Sequence, residues 1–430
     1  MNDVRELSSL AAEVQREYAT QMDPTYVMDI RMKAIQEFEH APIPQFGKSK
    51  LDKRNLDAYS IACDQQLSQD WRVVAKSYMD ENANAPMMVI ADGRVVHSTG
   101  LDSLKEHGVL ALNLRQAVMM YPELVQEHLG SIVPFDENKL LALHAALWRD
   151  GLFLYLPAHA DVVTPIQILV VTTKGSQGTF SRNLIVAERG AKATILEVDL
   201  ADPLIGDEVH VGVSEVIVKD DAHIKMGVVH DFPKASTNLL LHRAQVHHNA
   251  QMDWVIGEMA EGFTVAEYAS LLVGEGSRST SHAVALGSGR SHLNLTSKMQ
   301  HVARYSESKT FARGVMKDRS DAVFRGFTHI LRGASGANGE QNERLLMLSP
   351  KSRADAIPML LIDENDVKCG HAASVGQISE EQLFYLMSRG IAEQDAKQMI
   401  VWGFVDPVLA KLPVDLVREA VVRALERKMS

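Results

Sequence analysis

The sequence predicts a mainly β protein with helical ends, in which a coiled stack of parallel strands, a β-helix, lies between two helical regions. Three observations carry this. Short β-branched or aromatic runs fill the middle of the chain, among them MMVIADGRVVH, DGLFLYLP, IQILVV, RNLIVAE, ATILEV and EVIVKD, separated by polar turns. Several turns share one form, a polar run, then Ala or Ser, then a polar residue entering the next strand. They stand at Ala191, Ala222, Ala250, Ser277, Ser306 and Ser352, the first five spaced by 31, 28, 27 and 29 residues and the last by an irregular 46. A quasi-period of that length suits a solenoid whose chain turns its corner at a small residue. A β-sandwich is the competing architecture, but its turns come about every 8–12 residues and would not select a small residue at one fixed corner. Third, helical periodicity is strongest near the two ends.

The pattern divides the chain into an N-terminal helical region (1–84), a β-helix core (85–376) and a C-terminal helical domain (377–430). Val4, Leu7, Leu10, Val14 and Tyr18 recur at helical spacing. A second helix is signalled by Asp23 as N-cap and Pro24 in the first turn, with Val27, Ile30, Ala34 and Phe38 following, and it stops before the proline-rich APIPQFG. At the other end, SEEQ is a capping box in which Ser379 accepts from the Gln382 amide. Leu383, Phe384, Leu386 and Met387 give that helix an apolar face, and Gly390 is placed as its C-cap. AEQDAKQMIVWGF reads as a helix ending near Gly403. VDLVREAVVRALERKM reads as another, with Leu416, Val417, Ala420, Val421, Ala424 and Leu425 along one stripe. Three such helices cover the end of the stack or present a surface to a partner.

Composition narrows the function classes. A formal net charge of −11 argues against nucleic acid, which is bound through basic patches. Two cysteines make no disulfide framework and suit a reducing compartment. The first residues carry charges throughout and have no apolar signal-peptide core, and runs such as LFLYLP and IQILVV are far too short to cross a bilayer. The expected setting is cytoplasmic, away from membrane.

Nucleotide-binding loops fail on inspection. FGKSK supplies Gly47, Lys48 and Ser49 of a phosphate loop, but Pro42 stands where its first glycine belongs. GSGRSH has His292 in place of the third glycine of a dinucleotide fingerprint, and Gly333, Gly336 and Gly339 read as a turn between rungs. This chain is not expected to hydrolyse nucleotide. Of 17 histidines, His242, His247 and His248 lie close together, yet adjacent residues face opposite sides of a strand, and no HExxH or CxxC accompanies them. Cys369-Gly370-His371 differs, because residues two apart on a strand project from the same face. Thiolate and imidazole are both metal ligands, Lys368 is positioned to lower the thiol pKa, and Gly370 allows close approach of another backbone or a cluster. Two ligands do not complete a site, so the rest must come from elsewhere, such as a second subunit. A buried structural thiol is the plainer account of Cys369, and the one preferred for Cys63.

The stretch DVKCGHAASVGQISEEQLFYLMSRGI closely resembles the C-terminal signature of the SufB/SufD family, scaffold proteins of the Suf iron–sulfur cluster assembly machinery. YVMDIRMKAIQEFEHAPIP, HAALWRDGLFLYLP, DAVFRGFTHI and QNERLLMLSPKSRADAIPMLLI resemble the family's N-terminal helix, its entry into the β-core and its last rungs. The resemblance implies a right-handed parallel β-helix between helical regions. It also implies that Cys369 and His371 are the Cys-x-His pair of SufD-like members. SufB-like members instead have an acidic residue beside that histidine and a sulfur-accepting cysteine in the β-helix, whereas here Gly370 and Ala372 flank His371 and no cysteine lies between Cys63 and Cys369. A non-catalytic scaffold subunit follows, pairing near its last rungs with a SufB-like paralogue, or with itself in isolation. Cys369 and His371 would then share a transient iron–sulfur cluster or iron at that interface. The C-terminal helices, by the same resemblance, dock a SufC-like ABC ATPase, whose nucleotide-driven closure shifts the paired scaffolds. Outside the family stand a β-helix carbohydrate-active enzyme, a zinc hydrolase on His242, His247 and His248, and a purely structural homodimer.

Overall fold

The computed structural model describes residues 12, 14–16, 18, 23–46, 49, 51, 70–173, 178–205, 209–233, 236–410 and 415–429. Val4, Leu7 and Leu10 of the first expected helix and Cys63 lie outside them. So do Gly47 and Lys48. Val14 and Tyr18 are buried, as their spacing requires.

The middle of the chain winds into a right-handed parallel β-solenoid of about seven turns, as the sequence predicts. One sheet has ten strands and the other nine, and successive strands alternate between them. Inward positions therefore form columns in strict register. One runs Ala193, Ile224, Met252, Ser279, Ser308, Gly339, Cys369, and the next runs Ile195, Met226, Trp254, Ser281, Thr310, Gln341, His371. Ala191, Ala222, Ala250, Ser277 and Ser306 are all buried at one corner, each just before a strand of the ten-stranded sheet. Ser352 does not belong to that column. It precedes Arg353–Ile362 of the other sheet, as Ser320 precedes Asp321–Ile330, and the sixth member of the first corner is Ala337, 31 residues after Ser306. Both corners select small buried residues, which is why one pattern mixed them and produced the irregular gap.

The two ends of the stack differ. At the N-terminal end the antiparallel hairpin Met87–Ala91 and Arg94–Thr99 borders one sheet and Leu110–Asn113 borders the other. Helices Leu114–Met120, Pro122–His128 and Lys139–Leu147 lie in this same part of the chain, within the stretch read as β-core. At the C-terminal end the last strands, Arg353–Ile362 and Lys368–Gln377, each have a neighbour on one side only.

The N-terminal helix Thr25–His40 is not capped by Asp23: the cap position is Pro24 and no side chain caps it. The Asp23 carboxylate is drawn to Arg31 Nε at 3.0 Å and Arg115 Nη2 at 3.4 Å instead. Arg31 is 1 % exposed. Its guanidinium lies between the rings of Tyr18 and Trp148, 3.7 and 4.5 Å from their centroids, and donates to the Ala146 and Trp148 carbonyls. One buried cation thus ties this helix to the segment entering the solenoid.

The C-terminal helices are Glu380–Ser388, Glu393–Leu409 and Asp415–Met429. Ser379 accepts from the Gln382 amide as expected. The second runs past Gly403 because Val401, Val405, Val408 and Leu409 continue its buried face. These residues, with Val417, Val421, Ala424 and Leu425, pack on Val229, Val255, Val284, Val315 and Leu346, outward-facing residues of the ten-stranded sheet. The helices therefore cover the flank of the stack and leave its end open. Glu380–Ser388 buries nothing and exposes Phe384, Tyr385 and Met387.

Candidate site at the open end of the solenoid

Strand Lys368–Gln377 carries the predicted pair. Cys369 faces Gly339 and His371 faces Gln341 on the strand beneath, so both stand on the inward face at the last turn. Cys369 is half-buried and packs against Ile330, Ala334, Ala337 and Val367, while His371 is exposed. Gly339 makes room for the thiol: a Cβ there would sit 3.2 Å from Cys369 Sγ and 3.0 Å from Thr328 Cγ2. The structure thus brings thiol and imidazole to one open face, and the last two strands also expose the apolar side chains of Leu361, Ile362 and Val375.

Lys368 does not behave as expected. Strand alternation sends it to the opposite face, and burial pushes the Cys369 thiol up, only partly offset by a hydrogen bond from the Gly370 amide. A thiol so placed stays protonated until a metal or a more polar surrounding draws it into use.

The three histidines of the zinc alternative do not meet. His242 is fully buried in the lumen, stacked on Tyr268 at 5.1 Å, whereas His247 and His248 lie in the turn after its strand. Among the described residues no group of three or more His, Cys, Asp and Glu side chains is placed to hold a metal ion. His242 belongs to an interior polar cluster instead. His230 Nδ1 is 2.8 Å from Glu258 Oε2 and its Nε2 is 3.4 Å from Asp199 Oδ2, and Glu197 lies nearby. Burial, reinforced by Glu197, raises the Asp199 carboxyl well above its ordinary range, while burial lowers His210 to about 3. These groups come from different turns, so no local motif marks them; the available signal was charge at inward positions of apolar strands.

Glu343 and Gln341 were missed for the same reason. Both face inward one turn beneath the pair. Burial raises the Glu343 carboxyl to about 7. The neutral form therefore contributes stability that is full below pH 4.5 and lost as pH rises through about 7. Glu343→Gln, which cannot ionise, is expected to match the wild type below that range and exceed it by up to about 3 kcal/mol above it. Denaturant unfolding in chelator at both extremes checks this; an identical difference at each pH would contradict an uncompensated carboxyl.

Two family models together match most of the chain. The model described as SUF system FeS cluster assembly, SufBD core domain, matches residues 170–404, and that for the SufBD protein N-terminal region matches 5–168. The chain is 35% identical over 414 residues to the iron–sulfur cluster assembly protein SufD of Bacillus subtilis (strain 168), covering 95% of each. It is 30% identical to iron–sulfur cluster assembly SufBD family proteins of Staphylococcus haemolyticus, over 96% of this chain and 90% of the relative, and of Staphylococcus epidermidis, over 91% and 87%.

Proposed function

The chain belongs to the SufBD family of iron–sulfur cluster assembly proteins, and on that premise we propose that it is a non-catalytic, SufD-like scaffold subunit whose open last turn forms half of an assembly site. The observation that carries this is the pairing of Cys369 and His371 on the inward face of a strand with no neighbour beyond it among the described residues. Thiolate and imidazole are both ligands of iron–sulfur centres, and a site with only two of them must be completed from outside. The exposed apolar rim and unpaired strand edges suit a partner with a similar solenoid end, a SufB-like paralogue or, in isolation, a second copy. A transient cluster, or iron and sulfide on the way to one, is the cargo of such a site and not a resident cofactor. Incomplete ligation by either subunit favours its release.

The exposed aromatic face of Glu380–Ser388 and the adjoining groove lined by Tyr385, Leu386, Met399, Ile400 and Phe404 suit docking of a SufC-like ABC ATPase. No helix among the described residues is long and apolar enough to cross a membrane, in keeping with a cytoplasmic setting. The chain is expected to co-purify with a SufB-like protein and an ABC ATPase when the three are co-expressed. Replacing Phe384 and Tyr385 by Asp and Lys should remove the ATPase and keep the paralogue. Retention of the ATPase by that variant would overturn the docking assignment.

A further inference from the structure

Among the described residues, two buried oxygens beneath the open turn have no donor. Glu343 and Gln341 stand two apart on the inward face of Asn338–Met347, each 2 % exposed, and among the described residues neither Glu343 Oε2 nor Gln341 Oε1 has a hydrogen-bond partner. Both side chains crowd the same spot: a Cβ built on Gly326 would lie 2.2 Å from Glu343 Oε1 and 2.8 Å from Gln341 Oε1. The Gln341 amide nitrogen is already engaged, donating to Thr328 Oγ1 at 2.6 Å. Glu343 also borders a lumen cavity of about 20 Å³, lined further by the hydroxyl-bearing Tyr268, Ser281, Thr296, Ser297 and Thr310, by Arg325 and by apolar side chains. That space admits one water-sized body. The Tyr268 and Ser281 hydroxyls, like the two acceptors, have no partner among the described residues. Carboxylate, amide carbonyl and hydroxyl oxygens are hard donors, matched to divalent ions of the Mg2+, Mn2+ and Fe2+ kind more than to soft ones.

We propose that this oxygen-lined floor binds a divalent cation, held by Glu343 and Gln341 one turn beneath Cys369 and His371. A water molecule satisfies orphaned acceptors but leaves a buried carboxylate uncompensated, and Arg325, the cationic residue in the cavity lining, gives its guanidinium to the Phe46 carbonyl and Asn294 Oδ1 instead. A cation meets both needs. The identity of the ion rests on the assembly reading: in a scaffold whose outer donors are thiol and imidazole, ferrous iron is the ion to be held there, on oxygen first and then passed outward to sulfur and nitrogen.

The test uses the full chain, stripped with chelator and titrated anaerobically at mildly alkaline pH with Mn2+ alone, free Mn2+ being read by its paramagnetic resonance signal. The wild type is expected to hold one Mn2+ per chain, and Fe2+ added afterwards to displace it. Glu343→Gln, which keeps volume and hydrogen-bonding capacity, should bind Mn2+ roughly tenfold more weakly or worse. Gln341→Met should weaken it as well, with unfolding curves confirming that both variants are folded. Cys369→Ala/His371→Ala should keep the ion. Absence of binding to the wild type, unchanged binding by Glu343→Gln, or loss of the ion only in the Cys369/His371 variant would overturn the proposal. If that double variant assembles clusters normally while Glu343→Gln still loses Mn2+, the cation site stands and the assembly role of the pair falls.

Discussion

Replacing Cys369 and His371 together by alanine is expected to leave the solenoid folded and to abolish cluster assembly by the complex. The structural half of this follows from position. His371 is exposed and Cys369 half-buried against a small satellite cluster, so removing both costs little of the main core; about 1 kcal/mol or less is the scale for such truncations. The chemical half follows from what no other described residue at the last turn supplies. Cys369 is the only thiol among the described residues, and the strand beneath contributes glycine and glutamine where Cys369 and His371 stand. Iron and sulfide incorporation by the reconstituted complex, followed alongside the unfolding midpoint of the isolated chain, separates the two halves. Normal incorporation by a folded double variant would remove the pair from the mechanism. The single variants are informative too. Loss of the thiol should be the graver, because thiolate is the principal ligand of iron–sulfur centres and imidazole the occasional one.

The second large effect is expected at the opposite end. Arg31→Ala should destabilise the protein by about 3–5 kcal/mol, the range for leaving one member of a buried ionic pair without its partner. The loss is compound. Two backbone carbonyls, those of Ala146 and Trp148, lose their donor, the rings of Tyr18 and Trp148 lose the cation between them, and Asp23 keeps only the longer contact to Arg115. Hydrogen exchange should rise first across Thr25–His40, before the strands respond, because the solenoid turns do not depend on that helix for their pairing. Arg31→Lys should recover only part of the loss, since an ammonium cannot serve two carbonyls, a carboxylate and two ring faces in one plane. A denaturant midpoint within error of the wild type would refute the anchoring role.

How much of this was legible in the sequence depends on the range over which each signal acts. That Cys369 and His371 share one strand face was readable because alternation along a strand is a local rule needing no knowledge of neighbours. The corner residues were readable because sterics at a tight bend recur each turn, but the rule cannot tell two corners apart, and Ser352 was placed on the wrong one. Asp23 was assigned to the nearest helix start, whereas a buried guanidinium eight residues away in sequence had the stronger claim on its carboxylate. Lys368 failed for a related reason: adjacency in sequence puts it on the far face of the very strand that presents Cys369. The groups least visible in advance, Glu343, Gln341 and the Asp199–His230–Glu258 cluster, are defined by stacking of turns about 30 residues apart, so nothing in any one segment announces them.

The unpaired last turn carries one more implication. In a linear stack each repeat is steadied by those on either side, and the final one has support from a single direction. It is therefore expected to be the first to loosen in thermal motion, which would put the proposed assembly chemistry on the most pliable coil of an otherwise stiff rod. On the proposed assembly role, a mate that stacks on it would supply the missing support and fix the geometry, and its departure would return the coil to its restless state and release what it was gripping.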